Sequence, residues 1–360
     1  MMQLTQFVSH LGRTVFPLIV AAAFTIGQAT ACGFHYYIPE NTSVDRLLQS
    51  KDVILARPSR QNRFEFEATK VLRGQGPSEK LPFLVSTVLR KKMELNPEDH
   101  VVLERAPEGA WKHVSYANAA YVEMVESVLA NSDTWSRDYT PDRFAMFAKL
   151  LSSPDPALKE LALREVDKAP YAMLRQIDVS LSSEDLLSQL WTIKGIPFQS
   201  IRILLLGLSG DDAARVEIHR FIGISKGKER AENLGAFSAA LVELDGLDGV
   251  ARLETTYLTD TSQPLPKLEQ VVEALAIHNA VASFELHKAI TDALSRMILQ
   301  RPETAPMVAR QFGNRQDWSQ GATVALALKN KAIKNPAEQF MVASYVSRAQ
   351  RAQLSDRVEN

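Results

Sequence analysis

The chain has 360 residues, of which 46% are hydrophobic and 23% are charged. This length and apolar content suit two domains, or one long repeat array, with a sizeable core. Lys and Arg number 41 against 42 Asp and Glu, so the balanced charge disfavours nucleic acid or an anionic membrane as a partner. The single cysteine, Cys32, excludes an intramolecular disulfide and a thiolate cluster for zinc or iron–sulfur chemistry.

The first 31 residues have the pattern of a secretory signal. Before Cys32 the only charged side chain is Arg13, which is followed by a mainly apolar stretch of 12 residues, Val15–Ile26. That stretch is too short to cross a bilayer as a helix, which takes about 20 residues. The small residues Ala29 and Ala31 occupy the positions that a signal peptidase recognises. We therefore predict cleavage between Ala31 and Cys32 and an extracytoplasmic protein, periplasmic or secreted; an uncleaved N-terminal anchor is the alternative.

Three alternatives remain open for Cys32 at the predicted cleavage site. The sequence around it resembles a bacterial lipobox, which implies lipidation of Cys32 and attachment to a membrane. As a free N-terminal residue, Cys32 offers a thiolate and an amine that chelate a transition metal, with His35 close enough in sequence to join. The third alternative is an inert, packed thiol. No later segment is long and uncharged enough to cross a membrane.

Residues 32–117 are predicted to form a strand-rich domain. Short apolar or alternating runs suggest four or five antiparallel strands in a small barrel or sandwich. The turn at 106–110 contains Pro107 and Gly109, as expected for a hairpin. The predicted strands comprise residues 52–57, 63–69, 81–88, 100–104 and 111–114.

The order of elements in this part resembles the netrin-like, or tissue-inhibitor-of-metalloproteinase-like, oligonucleotide/oligosaccharide-binding (OB) barrel of secreted bacterial proteins. The resemblance rests on an N-terminal Cys32, an early helix near 43–49, the strand DVILAR at 52–57 and the segment FEATKVLRG at 66–74. In animal members of that superfamily the N-terminal cysteine chelates the metal of a protease. The resemblance therefore implies a metal-binding or metalloprotease-inhibitor role for Cys32.

Residues 118–350 change to helical periodicity, and a polar C-terminal tail follows at 351–360. Four segments, 201–208, 236–244, 271–278 and 322–328, are apolar nearly all round, as expected for helices buried between repeats. Their leucines, Leu205, Leu241, Leu275 and Leu326, are spaced by 36, 34 and 51 residues. The first two spacings suit repeated helical pairs, and the third suits one repeat plus an insertion.

This half resembles the HEAT-repeat α-solenoids, and residues 154–162 (PDPALKELA) match that family's turn and second helix most closely. The resemblance implies protein or peptide binding on a concave face. The predicted fold class is thus α+β: a small OB-like antiparallel barrel or sandwich followed by a larger α-solenoid of HEAT-like pairs.

Motifs for catalysis are missing from the sequence. There is no phosphate-binding loop, no His-Glu-x-x-His and no Gly-x-Ser-x-Gly, and the glycine-containing segment 245–249 is predicted to be a turn between helices. His278 and His287 do not share a helical face, so core hydrogen bonding or capping is expected of them. Trp111, Tyr116 and Tyr121 are expected to pack in the core where the two halves meet, with a binding surface as the alternative.

Together these patterns predict a non-catalytic, extracytoplasmic protein–protein interaction or scaffold module with no cofactor. The alternative is a metal-binding or metalloprotease-inhibitor-like protein that uses Cys32, with His35, for a transition metal. The expected partners are proteins, with no nucleic acid and no transmembrane span in the mature chain. Attachment to a membrane would come through a lipid on Cys32.

Overall fold

The α+β class is confirmed by the computed structural model, which describes residues 41–178 and 181–359. A four-stranded antiparallel sheet comes first, and the rest of the described chain is almost entirely helical. The strands lie in the spatial order β2-β1-β3-β4, and their bounds are β1 Asp52–Pro58, β2 Phe66–Arg73, β3 His100–Arg105 and β4 Trp111–Ala117.

Helices cover most of the remaining described chain. In the first half they are α1 Ser43–Gln49, α2 Thr87–Leu95, α3 Ala119–Ala130, α4 Ser132–Trp135, α5 Pro141–Leu150, α6 Pro156–Val166, α7 Tyr171–Leu174 and α8 Ser183–Leu190. In the second half they are α9 Gln199–Ser209, α10 Asp212–Ser225, α11 Leu234–Asp245, α12 Leu247–Leu253, α13 Leu265–Asn279, α14 Phe284–Gln300, α15 Ala305–Asn314, α16 Gly321–Lys329 and α17 Pro336–Glu359.

The central strand β1 is buried on both faces of the sheet, which explains its uninterrupted apolar run. Val53 and Leu55 belong to the main core, which continues into the helices. Ile54 and Ala56 point to the other face, where a smaller core includes Met93 of α2. The sheet is therefore packed between α2 on one side and the helical part on the other.

One predicted strand is wrong. The run 81–88 forms a single bridge, between Glu65 and Leu84, and the chain then enters α2 at Thr87. Ser86 is the reason, because its side chain accepts a hydrogen bond from the backbone N–H of Leu89 and caps the helix. The strand predicted over 63–69 begins later, at Phe66, because residues 62–65 form a turn. The other three strands and the helix at 43–49 are confirmed.

The later helices pack in two rows. In one row α9, α11, α13, α15 and α17 contact one another in that order. In the other row α8 contacts α10, and α12, α14 and α16 contact in that order. Helices of the two rows also pack against each other, for example α8 on α9 and α13 on α14. Alternate helices along the chain thus become neighbours in space.

Three of the four apolar segments lie in one row and are buried as predicted, in α9, α11 and α13. The fourth, 322–328, lies in α16, which belongs to the other row and leaves Leu326 half exposed. The helix that follows α13 in the first row is α15, which contains the buried residue Val308. The spacing of 51 residues therefore compares helices from different rows.

The contact between α9 and α11 depends on a glycine. A Cβ atom on Gly207 would lie 2.7 Å from Cα of Ala240, closer than side chains tolerate. Gly207 thus allows the backbones of α9 and α11, the first two helices of the row, to approach closely.

The main core and helix α17 each extend across a predicted boundary. The main core runs without interruption from Val44 in α1 to Tyr345 in α17, so residues on both sides of the predicted boundary at 117/118 share it. The division into two domains remains a prediction. The segment predicted as a polar tail continues α17 as far as Glu359. No helix within the described ranges is long and apolar enough to cross a membrane.

Candidate functional site

The residues singled out at the N-terminus lie outside the part of the chain that the structure describes. This holds for Cys32 and His35 as metal ligands, for Cys32 as a lipidation site, and for the cleavage position between Ala31 and Cys32. The alternatives for Cys32 therefore remain predictions. Across residues 41–178 and 181–359, no group of three or more His, Cys, Asp or Glu side chains is placed to hold a metal ion.

Four charged side chains form a buried network between α1, α5 and α6. Arg143 Nη2 donates to Glu165 Oε2 at 2.5 Å and to Asp45 Oδ1 at 3.2 Å. Lys168 Nζ donates to Glu165 Oε1 at 2.8 Å and also to Asp45. Arg143 and Glu165 are almost wholly buried. Two cations and two anions therefore neutralise one another inside the protein.

Thr42, the residue that caps α1, belongs to the same network. Its hydroxyl donates to Glu165 and accepts from Lys168 Nζ at 3.1 Å. Its backbone N–H donates to Asp45 Oδ2 at 2.8 Å, and Asp45 in turn supplies the second half of a capping box. The start of α1 is thus fixed to the end of α6.

The network shifts the pKa values of Asp45 and Arg143. Burial opposes ionisation of Asp45, but Lys168 and Arg143 overcome this effect and hold the pKa of Asp45 below its ordinary value of 3.8. Burial likewise opposes the charge of Arg143, yet Glu165 and Asp45 keep the Arg143 pKa above its ordinary value. Both groups are charged at neutral pH.

A cleft of about 200 Å³ opens beside the network. Asp45 and Arg143 contribute to its lining, but both are already bound to other members of the network. This arrangement supports a structural link between helices rather than acid–base chemistry. The remaining lining residues are Leu48, Gln49, Trp135, Ser136, Arg137, Asp138 and Tyr139.

A second buried polar cluster surrounds His278 in α13. Its Nε2 lies 2.8 Å from the carbonyl oxygen of Ala239, which only accepts, so the Nε2–H donates there. The hydroxyl of Tyr171 is 3.2 Å away and donates to Glu243 Oε2 at 2.6 Å. Burial lowers the pKa of His278 to about 4. The predicted core hydrogen bonding of His278 is confirmed.

The three aromatic residues near the junction of the halves have different surroundings. Tyr121 in α3 is buried in the main core, and its hydroxyl lies 3.3 Å from Ser43 Oγ in α1. Trp111 and Tyr116 are partly buried against the smaller core on the other face of the sheet. The prediction of packing at the junction is confirmed for Tyr121 and is wrong for Trp111 and Tyr116, which lie on the other face of the sheet.

The connection between α8 and α9 exposes large apolar side chains, which we call the Trp191 surface: Trp191, Ile193 and Ile196. Trp191 is 52% exposed and Ile193 is 87% exposed. The indole Nε1 of Trp191 donates to Glu217 Oε1 at 3.1 Å. Its ring lies nearly parallel to that of Phe221, with centroids 6.0 Å apart. Trp191 is thus fixed in orientation while half of its surface faces solvent.

The Trp191 surface is held by a tight turn. The backbone N–H of Gly195 donates to the carbonyl oxygen of Thr192 at 2.9 Å, and that of Ile196 donates to the same oxygen at 3.1 Å. A side chain on Gly195 would collide with the carbonyl oxygen of Gln189, so only glycine fits there. A partner that binds this surface would have little chain motion to suppress.

Sequence reasoning missed both features, although each has a signal. Arg143 and Glu165 occupy positions that continue the apolar stripes of α5 and α6, where a charged residue predicts a buried ion pair. The segment 191–198 (WTIKGIPF) has four large apolar residues between two helices together with Gly195 and Pro197, which stop helices. Exposed apolar residues in such a connection favour a binding site.

Comparison of this chain with known protein families, with curated proteins and with solved structures finds no match.

Proposed function

We propose that the protein is a non-catalytic interaction scaffold that acts outside the cytoplasm and binds a protein partner through the Trp191 surface. The observation that carries this proposal is the exposure of Trp191, Ile193 and Ile196 on a turn held in one conformation. Tryptophan is enriched among residues that dominate the binding energy of protein interfaces. Solvent-exposed isoleucines beside it add apolar area that a partner would bury.

The arrangement of the helices supports the same proposal. Alternate helices stack in two rows, as in HEAT-like helical pairs, a family whose fold implies protein or peptide binding. We propose that α8–α17 form such an α-solenoid. For residues 32–117 we retain the netrin-like OB-type barrel as a proposal, supported by the order of α1, β1, β2 and the β3–β4 hairpin.

The experiment that tests this proposal compares partner recovery by substituted proteins. We expect W191A and I193S to lose a partner that the wild-type protein retains after cross-linking in cells, while V216S on α10 retains it. Ile193 is so exposed that I193S leaves folding unchanged, which circular dichroism melting would verify. The proposal is wrong if no specific partner is recovered, or if both variants at the Trp191 surface retain it fully.

The location outside the cytoplasm rests on the signal-like pattern of residues 1–31. The intact mass of the protein recovered from fractionated cells tests it. We expect a chain that starts at Cys32, and an added lipid mass would show that Cys32 anchors the scaffold to a membrane. A mass that includes Met1 would contradict the proposed location.

A further inference from the structure

A second set of exposed apolar side chains lies far along the chain from the Trp191 surface, on α2 and the turns beside it. Leu84, Val88 and Leu95 are 81%, 78% and 82% exposed. Phe64, in the turn before β2, is also exposed. Leaving this many large apolar groups in water is unfavourable unless something covers them.

These side chains belong to one continuous surface. The backbone N–H of Val85 donates to the carbonyl oxygen of Phe64 at 2.8 Å, and Glu65 forms a β-bridge with Leu84. The guanidinium of Arg90 lies 5.2 Å from the centroid of the Phe64 ring. The turn at 62–65 and the first turn of α2 are therefore neighbours.

Helix α2 has two distinct faces. Leu89 and Met93 pack against the smaller core under the sheet. The opposite face carries Val88, Lys91 and Leu95, spaced at i, i+3 and i+7, so apolar and basic groups alternate along it. This is the pattern of a helix that lies in the surface of a membrane.

The stretch of sequence that carries this face is more basic than the chain as a whole. Residues 57–95 contain nine Lys and Arg against four Asp and Glu, whereas the full sequence is balanced. Two of the four acids, Glu65 and Glu94, form ion pairs with Lys80 and Arg90. The balanced total charge thus conceals a basic region.

Three basic residues in this region are available to a ligand. Arg60, Arg63 and Lys91 are exposed, and none forms an ion pair with an acid in the described part of the chain. Together with Phe64, Leu84, Val88 and Leu95 they make up what we call the α2 surface.

We propose that the α2 surface binds an anionic lipid bilayer. Leu84, Val88 and Leu95 would enter the boundary between headgroups and acyl chains, and the basic side chains would bind the phosphates. Lys91, between Val88 and Leu95, favours a lipid surface over a protein partner, because the centres of protein interfaces are depleted in lysine, whereas Lys is favoured beside apolar residues at lipid surfaces. This inference uses residues other than the Trp191 surface and does not depend on the proposed function.

A fluorescent probe at a single position tests this proposal in the full chain. In a C32S background, V88C and the matched control V216C are labelled with a polarity-sensitive dye, since both valines are exposed and lie on different helices. Vesicles of phosphatidylcholine containing phosphatidylglycerol should raise the emission of the dye at position 88 several-fold and leave position 216 unchanged. Vesicles of phosphatidylcholine alone should have little effect on either position.

Charge removal provides the second measurement. Each basic residue near an anionic surface contributes about fivefold in affinity, so R63Q combined with K91Q should weaken binding of V88C to the phosphatidylglycerol vesicles roughly 25-fold. High salt should weaken it as well. The proposal is wrong if position 88 gives no response, if positions 88 and 216 respond alike, or if the double substitution leaves binding unchanged.

Discussion

Replacing Arg143 by methionine removes a cation from the buried network while keeping a side chain of similar length. In the wild-type protein this guanidinium contacts Glu165 twice, Asp45 once and the carbonyl oxygen of Trp135. After the substitution Lys168 alone faces two carboxylates, one of them in a side chain with no exposed area. The network then carries an uncompensated negative charge.

We expect R143M to lower the free energy of unfolding by about 3–5 kcal/mol, the range for breaking a buried ion pair by removing one partner. With a urea dependence of about 3 kcal/mol per molar, the unfolding midpoint should fall by roughly 1–1.7 M. Adding E165Q to R143M restores one cation facing one anion. The double variant should therefore recover part of the loss.

Urea unfolding followed by circular dichroism measures these shifts, and K70A is the matched control. Lys70 in β2 and Glu126 in α3 form an ion pair at 2.7 Å, but both side chains are exposed. K70A should cost less than about 0.5 kcal/mol.

The pH dependence provides an independent check. The pKa of Asp45 is lowered from 3.8 in the folded protein. The contribution of Asp45 to folding stability is therefore fully present above about pH 4, and it is lost as the pH falls through the lowered pKa. The difference in free energy of unfolding between the wild-type protein and R143M should thus become smaller at acidic pH. The interpretation of the network would be refuted if R143M lost no more stability than K70A does. It would also be refuted if the double variant R143M/E165Q were less stable than R143M.

Three further predictions concern the helical rows. G207A should destabilise the protein by about 1–3 kcal/mol because its Cβ meets Ala240, whereas G223A in α10, where the added Cβ meets nothing, should be neutral or slightly stabilising in the same urea titrations. Since burial lowers the pKa of His278 from 6.5 to about 4, the free energy of unfolding of the wild-type protein should fall as the pH drops between these values, by roughly 3 kcal/mol at most. H278Q should lose most of this pH dependence, and H287Q should keep it. Burial raises the pKa of Glu273 from 4.5 to about 7. The contribution of Glu273 to folding stability is therefore present below pH 4.5 and is lost as the pH rises through 7. E273Q should have a higher free energy of unfolding than wild type at pH 8 but not at pH 5, by up to roughly 3 kcal/mol.

A local sequence pattern predicts a helix or strand of this protein correctly where a single kind of interaction determines that segment's structure. The apolar run 52–57 becomes β1 because both faces of the sheet are covered, and Pro156 follows the N-cap Asp155 at the start of α6 as its sequence suggests. The prediction of a strand over the run 81–88 is wrong because β-branched and apolar residues also occur in a segment that leads into a capped helix. Ser86 decides between the two, and its effect is visible only once the hydrogen bond to Leu89 is known.

The long-range features could be predicted only in part. Leu205, Leu241 and Leu275 lie in one row of helices, whereas Leu326 lies in the other, because an apolar composition alone does not distinguish helices of the two rows. Arg143 contacts Asp45 across 98 positions of the sequence, and Thr42 donates a hydrogen bond to Glu165 across 123 positions. Charged residues in apolar stripes indicate that partners exist without identifying them.

The most direct test of the proposed scaffold role is site-specific photo-cross-linking in living cells. A photoreactive amino acid at position 193, in the Trp191 surface, is compared with one at position 288, an exposed site on α14. We expect a discrete cross-linked product at position 193 that contains a second protein and is missing at position 288. Position 193 giving no product, or the same products as position 288, would contradict the proposal that the Trp191 surface binds a partner.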